Sequence, residues 1–321
     1  MLVTGGAGFI GFHLSRHLAG LNYEVTLCDN LWRGRLDDDL QDLLNTRRVR
    51  FVKADLTEKH DLTKMEKNYD CVYHLAAING TRHFYEIPHE VLRVNIVTLL
   101  NVLDWMTDTS CKKLVWLSSS ETYAGLTTLM EFRIPTAENV PVGVDNVFNP
   151  RFSYAVSKIA GELLCINYSR AYDLKVSIIR PHNIYGPRMG YEHVVPQFIT
   201  RIIRKEDPFK IHGGDCSRSF CYVDDCVRAI RLAAESSETD GQIINIGNDK
   251  GETCILDLAM RMFDLFGFHP KVEVLPAPEG SVKRRCPDIG KARELLGYET
   301  QVDLDEGLRE TYRWYSKKAL T

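Results

Sequence analysis

Thr4-Gly5-Gly6-Ala7-Gly8-Phe9-Ile10-Gly11 is the stretch that decides the fold. It carries glycines in both GxxGxxG and GxGxxG spacing. It follows the short apolar run Leu2–Thr4 and opens Phe9–Gly20, whose apolar residues recur with a helical period. Glycines so placed permit a tight turn, a close approach of backbone to a pyrophosphate, and close packing of helix on strand. The N-terminus of the helix that follows favours the phosphate's negative charge. Glycine spacing alone is weak evidence, but a second element supports it. The next apolar run, Val25-Thr26-Leu27-Cys28, ends on Asp29, with Asn30 after it. A carboxylate there accepts hydrogen bonds from the adenosine ribose hydroxyls and repels a 2′-phosphate, so the expected cofactor is NAD rather than NADP. Arg33 and Arg35 lie close enough to oppose that preference.

Outward from this turn, short β-branched runs alternate with helix-period segments. Leu2–Thr4, Glu24–Cys28, Val49–Lys53, Cys71–Leu75, Leu114–Leu117 and Val176–Ile179 read as strands apolar on both faces. Phe9–Gly20, Pro88–Thr107 and Ser153–Tyr172 read as the helices between them. The alternation predicts an α/β protein with a doubly wound parallel sheet. After Arg180 the pattern changes. Pro181, Gly186, Pro187, Gly190 and Pro196 mark a loop-rich stretch. Helices are predicted at Val194–Lys205, Asp224–Ser236, Ile255–Phe266 and Asp303–Lys318, with one more core strand at Gln242–Ile246. The expected organisation is a dinucleotide-binding domain over 1–180 and a smaller, interwoven substrate lobe over 181–321. A segment near 220–248 returns to the first domain.

Composition excludes several classes of function. The 321 residues carry 40 basic and 43 acidic side chains, a net charge of −3. That balance offers no general field for nucleic acid or an anionic membrane, so neither is an expected partner. No apolar run approaches the roughly 18 residues of a membrane span. Met1–Thr4 lacks the basic and apolar segments of a signal peptide. The nine cysteines form no CxxC pair, which argues against a disulfide framework or a zinc site. His13 and His17 share a helix face but have no third ligand in view, so no metal is expected. A cytoplasmic protein follows as the expectation.

Ser153-Tyr154-Ala155-Val156-Ser157-Lys158 places a tyrosine and a lysine four apart, on one face of a helix. A phenol normally ionises at about pH 10, and a nearby ammonium lowers that value. Such a pair makes a general base for removing a hydroxyl proton as hydride leaves the same carbon. The run Leu114–Leu117 ends in Ser118-Ser119-Ser120-Glu121-Thr122-Tyr123. Strand ends of this kind line the ligand crevice of open α/β sheets. A serine hydroxyl there can bond a substrate oxygen and steady the phenolate.

These motifs, with His74-Leu75-Ala76-Ala77 and Arg180-Pro181-His182-Asn183-Ile184-Tyr185-Gly186-Pro187, occur in order along the chain. Together they resemble the extended short-chain dehydrogenases/reductases, in the NAD-dependent epimerase/dehydratase branch, which implies a Rossmann-type fold. The resemblance implies Tyr154 and Lys158 as the catalytic pair, with Ser119 or its neighbour Ser120 at the sugar hydroxyl. It implies Gly5, Gly8, Phe9, Ile10, Gly11, Asp29, Asn30, Asp55, Leu56, Leu75, Ala76, Ala77 and Asn95 along the cofactor. It implies Asn183, Val195, Arg218 and Arg285 on the side of a nucleoside-diphosphate sugar, with two arginines for the diphosphate. Arg82 is a candidate partner for a substrate carboxylate. Relatives commonly pair the helices Pro88–Thr107 and Ser153–Tyr172 across a homodimer. Leu99, Leu100, Leu163 and Leu164 extend the apolar surface here beyond one stripe.

Glu121 bears on the reaction. Once a sugar is oxidised at carbon 4 its carbon-5 proton is acidic, and a carboxylate beside the ring can remove it. A glutamate two residues after the catalytic serine is similar to the arrangement in nucleotide-sugar 4,6-dehydratases, so the sequence alone favours dehydration. Ser119-Ser120-Glu121 also resembles nucleotide-glucuronate decarboxylases, and 4-epimerisation is the further alternative. Outside enzymes, the competing reading is an NAD-binding sensor or scaffold. Such a protein needs the glycine turn but not Tyr154, Lys158 and the serine strand end.

Overall fold

A computed structural model describes residues 1–319 apart from 127–129, 131, 279 and 280. Six strands of the first half are β1 (Leu2–Thr4), β2 (Val25–Asp29), β3 (Val49–Lys53), β4 (Cys71–His74), β5 (Lys113–Leu117) and β6 (Lys175–Pro181). Together with Ile243–Ile246 they form a seven-stranded sheet. From one edge the order is Ile243–Ile246, β6, β5, β4, β1, β2, β3, and every pairing is parallel. β1, β2 and β4 are buried along their whole length, as helices on both faces require. The predicted doubly wound parallel sheet is therefore present.

The chain order reverses at β1. Later strands build outward through β2 and β3 on one side and through β4 to β6 on the other. Ligands bind in the crevice beyond the carboxyl ends of the strands at such a point. The glycine turn leaves β1 at this point, and Leu75–Ala77 leaves β4 beside it. The two exits are stitched together, because Thr4 Oγ1 accepts from the Leu75 and Ala76 amides at 3.2 and 3.3 Å.

The helices α1 (Phe9–Gly20), α2 (Asp38–Leu44), α3 (Thr81–Glu86), α4 (Pro88–Thr107) and α5 (Phe152–Tyr172) lie between the strands in sequence. α5 approaches the sheet closely at Gly161, where a β-carbon would sit 2.5 Å from the Trp116 ring and 3.0 Å from Leu99. Leu99 is fully buried in this contact, so the surface expected of it is used within the chain; Leu163 stays 58% exposed. Among the described residues no helix is long and apolar enough to cross a membrane. All nine cysteines are free, and only Cys254 is not buried.

Elements with a strong periodic signal lie within about two residues of their predicted bounds. The sequence reading missed α2, α3, the helix Gly290–Leu296 and all the two-residue strands. These pieces are too short to show a period. Three of them, Ser217–Arg218, Thr253–Cys254 and Arg284–Arg285, form one small sheet. Its parallel pairing sets Arg285 beside Arg218.

A buried ion pair joins α5 to β6. Arg180 Nε and Nη2 donate to the two carboxylate oxygens of Glu162 at 2.7 and 2.6 Å. Ser118, at the end of β5, donates to the same carboxylate at 2.5 Å. Arg180 Nη1 donates to the Tyr123 hydroxyl at 2.6 Å. Replacing Glu162 with alanine strands a buried guanidinium and should cost about 3–5 kcal/mol, read from denaturant titration. The double variant Glu162→Leu/Arg180→Met, with both charges gone, should recover much of that loss.

Candidate active site

The dinucleotide crevice is shaped by backbone. Gly5 adopts φ +65°, and a β-carbon there would lie 2.9 Å from the Ala76 amide nitrogen. A β-carbon on Gly11 would lie 2.2 Å from the Gly5 carbonyl oxygen, so α1 can pack onto the turn only through glycine. α1 begins at Gly8 with no side-chain cap and no acidic residue in its first turn. Phe9, Ile10 and Gly11 thus present an unopposed positive helix end, the condition for holding a pyrophosphate. Asp29 ends β2 beside this turn, where its carboxylate accepts from the Ala7 amide at 3.0 Å and the Leu31 amide at 2.8 Å. A carboxylate has lone pairs beyond these two for ribose hydroxyls.

Asn30 donates to Asp55 at 3.1 Å, and Asp55 also accepts from the Thr57 amide and hydroxyl. Burial raises the Asp55 carboxyl, but the Thr57 and Asn30 hydrogen bonds outweigh it and hold the group below its ordinary value. Leu56 is buried beneath, its carbonyl accepting from Asn101. These residues fit NAD. Arg33, whose sequence position opposed the NAD preference, turns away from the Asp29 carboxylate and donates to the Asn79 carbonyl. Asn95 commits its amide to Ile78 and to the Ser157 hydroxyl, so it braces α4 against α5 and the loop after β4.

Tyr154 and Lys158 stand on α5 against the end of β5, and both are buried. Lys158 Nζ donates to the Leu117 carbonyl at 2.7 Å and lies 5.6 Å from the centre of the Tyr154 ring. Burial draws its ammonium down to about 8. The Tyr154 phenol is pushed up rather than down. Its burial outweighs the opposing Ser119 hydrogen bond and the Arg33 charge, and Glu121 adds to the rise. The expected lowering of the phenol by the neighbouring ammonium is thus not seen: burial outweighs the groups that favour the phenolate. Ser119 Oγ also accepts from the Glu121 amide at 3.2 Å, which orients it toward Tyr154. Ser120 is buried one residue on.

Glu121 is surrounded by guanidinium groups. Arg285 donates to its Oε1 at 2.8 Å, and Arg151 lies 3.9 Å from its Oε2. Burial raises the Glu121 carboxyl, but Arg285, Arg151 and Arg218 together outweigh burial and hold it below its ordinary value. Burial, then the neighbouring Arg285, brings the Arg218 guanidinium down to about 10. Arg218 also faces a cavity of about 320 Å³, with Asn183 and Val195 on its wall. Asn183, at φ +44°, donates to the Ser219 carbonyl.

Arg82 does not join this group. It stands 63% exposed on α3 and pairs with Glu86 at 2.7 Å. The guanidinium groups around Glu121 are Arg151, Arg218 and Arg285, and Arg33 acts instead on Tyr154. Sequence reasoning missed Arg151, although it lies three residues before Tyr154. His182 is buried, 3.1 Å from the Asn245 amide oxygen, and burial drives its ring down to about 3, so it is a neutral packing group. His13 bonds the Pro187 carbonyl at 2.9 Å, tying α1 to the loop after Tyr185.

Comparison with known proteins agrees with this geometry. The sequence matches the NAD dependent epimerase/dehydratase family over residues 1–247. It is 31% identical to a UDP-N-acetyl-alpha-D-glucosaminuronate decarboxylase of Bacillus cytotoxicus, across 98% of this chain and 97% of that protein. A UDP-glucuronic acid 4-epimerase of Bacillus cereus, solved with UDP-glucuronic acid and NAD, superposes with a TM-score of 0.85. It is 29% identical, with 99% of each chain covered. A dTDP-glucose 4,6-dehydratase of Streptomyces venezuelae, solved with NAD, superposes with a TM-score of 0.87. It is 28% identical over 98% of this chain and 96% of that one. This chain therefore belongs to the NAD-dependent epimerase/dehydratase family, and the relatives named above act on nucleotide sugars.

Proposed function

We propose that this protein decarboxylates a nucleoside-diphosphate-linked hexuronate, with UDP as the nucleotide, through transient oxidation at carbon 4. The observation that carries this reading is the Arg285–Glu121 pair. A 4,6-dehydratase asks a carboxylate at this place to take the carbon-5 proton. Glu121 is a weak base, because three arginines stabilise its ionised form. Loss of carbon dioxide needs no base at carbon 5, since the breaking carbon–carbon bond itself leaves the electron pair there. The local charge also suits an acidic sugar. Arg151, Arg218 and Arg285 outnumber Glu121, and the surplus favours a ligand with a diphosphate and a carboxylate. The decarboxylase and glucuronate epimerase named above support the same substrate class.

Bound NAD supplies the acceptor for the carbon-4 hydride. The remaining work belongs to the chain. Tyr154 Oη takes the carbon-4 hydroxyl proton, helped by the Ser119 hydroxyl and the Lys158 ammonium. A carboxyl on carbon 5 is then β to a ketone. As carbon dioxide leaves, charge moves onto the carbon-4 oxygen, where Ser119 and the protonated Tyr154 are the available donors. Carbon 5 then takes a proton from solvent, the carbon-4 ketone takes back the hydride, and Tyr154 returns its proton to the carbon-4 oxygen, so that no net oxidation remains. Arg285 holds Glu121 and, with Arg218, the anionic parts of the substrate.

Incubation of the UDP-hexuronate in deuterated water should yield carbon dioxide and a pentose product with deuterium at carbon 5. A carbon-4-inverted uronate without deuterium on carbon would assign epimerisation instead, and a 6-deoxy-4-keto product from a neutral sugar would assign dehydration. Titration with both dinucleotides should show NAD bound at least about tenfold more tightly than NADP, as Asp29 dictates. We also infer a homodimer through the α4 and α5 surface that leaves Leu163 exposed. Light scattering at micromolar concentration should give twice the 36.7 kDa chain mass.

A further inference from the structure

The loop after β2 does more than follow Asp29. Leu31 takes φ +65°, a conformation unfavourable for leucine, and turns the chain across the mouth of the crevice. Trp32 then lays its ring against His83 of α3, with centres 5.3 Å apart. Arg33 donates to the Asn79 carbonyl just ahead of α3. Gly190 makes room for the guanidinium, and Gly80 lies within contact range of it. A β-carbon on Gly190 would lie 3.3 Å from Arg33 Nη2. One on Gly80 would lie 3.9 Å from the same nitrogen and 3.3 Å from Glu192 Oε2. Arg33 therefore meets three segments at one point: the cofactor loop, the start of α3, and the Gly190–Glu192 turn.

α3 carries this contact onward. Its Phe84, next to His83, stacks on the Tyr154 ring with centres 5.0 Å apart and planes 16° from parallel. The short helix is thus held between Trp32 on one side and the catalytic ring on the other. The groups facing Tyr154 can be named. Ser119 and Glu121 come from the end of β5, Arg33 from the cofactor loop, Lys158 from the next turn of α5, and the uncharged Ile78, Phe84 and Val91 from the loop and helices around it.

We propose that Arg33 is a positioning residue that couples the cofactor loop to Tyr154, by clamping that loop onto α3, whose Phe84 stacks on the Tyr154 ring, and by bringing positive charge to that side of the site. Glu192, set against the same glycine, opposes that charge. Arg33 is exposed to solvent along one side, so its field is partly screened. Its effect on the tyrosine is therefore modest. The charge has a definite sign: it favours the ionised phenol, the form that accepts the hydroxyl proton.

The inference rests on Tyr154 as the base, and the experiment separates the two. Single-turnover oxidation of substrate, followed by NADH absorbance, is measured against pH for Arg33→Gln, Arg33→Lys and Glu192→Gln. NAD release from each variant is measured by dialysis without substrate. With Arg33→Gln the acidic limb should move to higher pH, slowing the reaction about fivefold at a fixed pH on that limb. NAD should leave faster. Arg33→Lys should restore most of the limb's position, and Glu192→Gln should move it to lower pH. Superimposable pH profiles for Arg33→Gln and wild type would overturn the proposal, and so would shifts of the same sign for Arg33→Gln and Glu192→Gln. If Arg33→Gln loses its folding transition, Glu192→Gln still decides by the direction of its shift. Tyr154→Phe that still oxidised substrate would instead remove the base assignment itself.

Discussion

The bidentate bond between Arg180 and Glu162 joins the last long strand of the sheet's first half to the helix that carries the reacting groups. Glu162 lies one turn beyond Lys158 on α5, and its carboxylate also takes the Ser118 hydroxyl, the residue before Ser119. Arg180 reaches the Tyr123 hydroxyl at the far end of the same turn. One buried carboxylate thus ties the strand end that carries Ser119 to the helix that carries Tyr154 and Lys158. Buried ion pairs seldom add net stability over apolar packing. Here the pair fixes the relative position of β5, β6 and α5, which apolar contacts among Trp116, Leu99 and Gly161 would leave free to slide.

Around that frame, desolvation dominates the electrostatics of the site, and local charges correct it. It draws Lys158 down and pushes Tyr154 up, so burial drives both groups toward their neutral forms. The same burial would neutralise Glu121 were it alone. Arginines drawn from three separate parts of the chain keep it ionised. Arg151 precedes α5, Arg218 follows the cavity wall, and Arg285 comes from the last small strand. The guanidinium cluster around Glu121 is therefore complete only when the chain after residue 181 has packed onto the sheet.

How far the sequence was legible follows from this assembly. The glycine turn, Asp29 and the Tyr154–Lys158 spacing are local patterns, so their elements could be placed without coordinates. Most strands of the central sheet were legible because burial on both faces forces continuous apolar runs; the edge strand β3, with Arg50 and Lys53 exposed, departs from that pattern. The arginine cluster was only partly legible. Arg218 and Arg285 were singled out, but Arg151 has no local signature, and its place beside Glu121 depends on long-range packing. Arg82 shows the converse error. It was a candidate partner for a substrate carboxylate, but one turn of helix directs it to Glu86. α3 itself, six residues long, was too short to register as a period.

The outermost strand on the β6 side has a consequence for biogenesis. Ile243–Ile246 lies more than sixty residues beyond β6 in sequence, yet it pairs with Ile178–Pro181 in register. Until those residues have been synthesised, β6 presents an open row of backbone donors and acceptors to whatever strand it meets. A nascent chain holding all of the glycine turn and the Tyr154 helix is therefore still unfinished at its sheet edge. Parallel pairings of such high sequence separation form slowly. The emerging polypeptide thus passes through an interval in which its catalytic half is encoded and exported from the ribosome but remains adhesive, and a chaperone that shields exposed strands would act on it there.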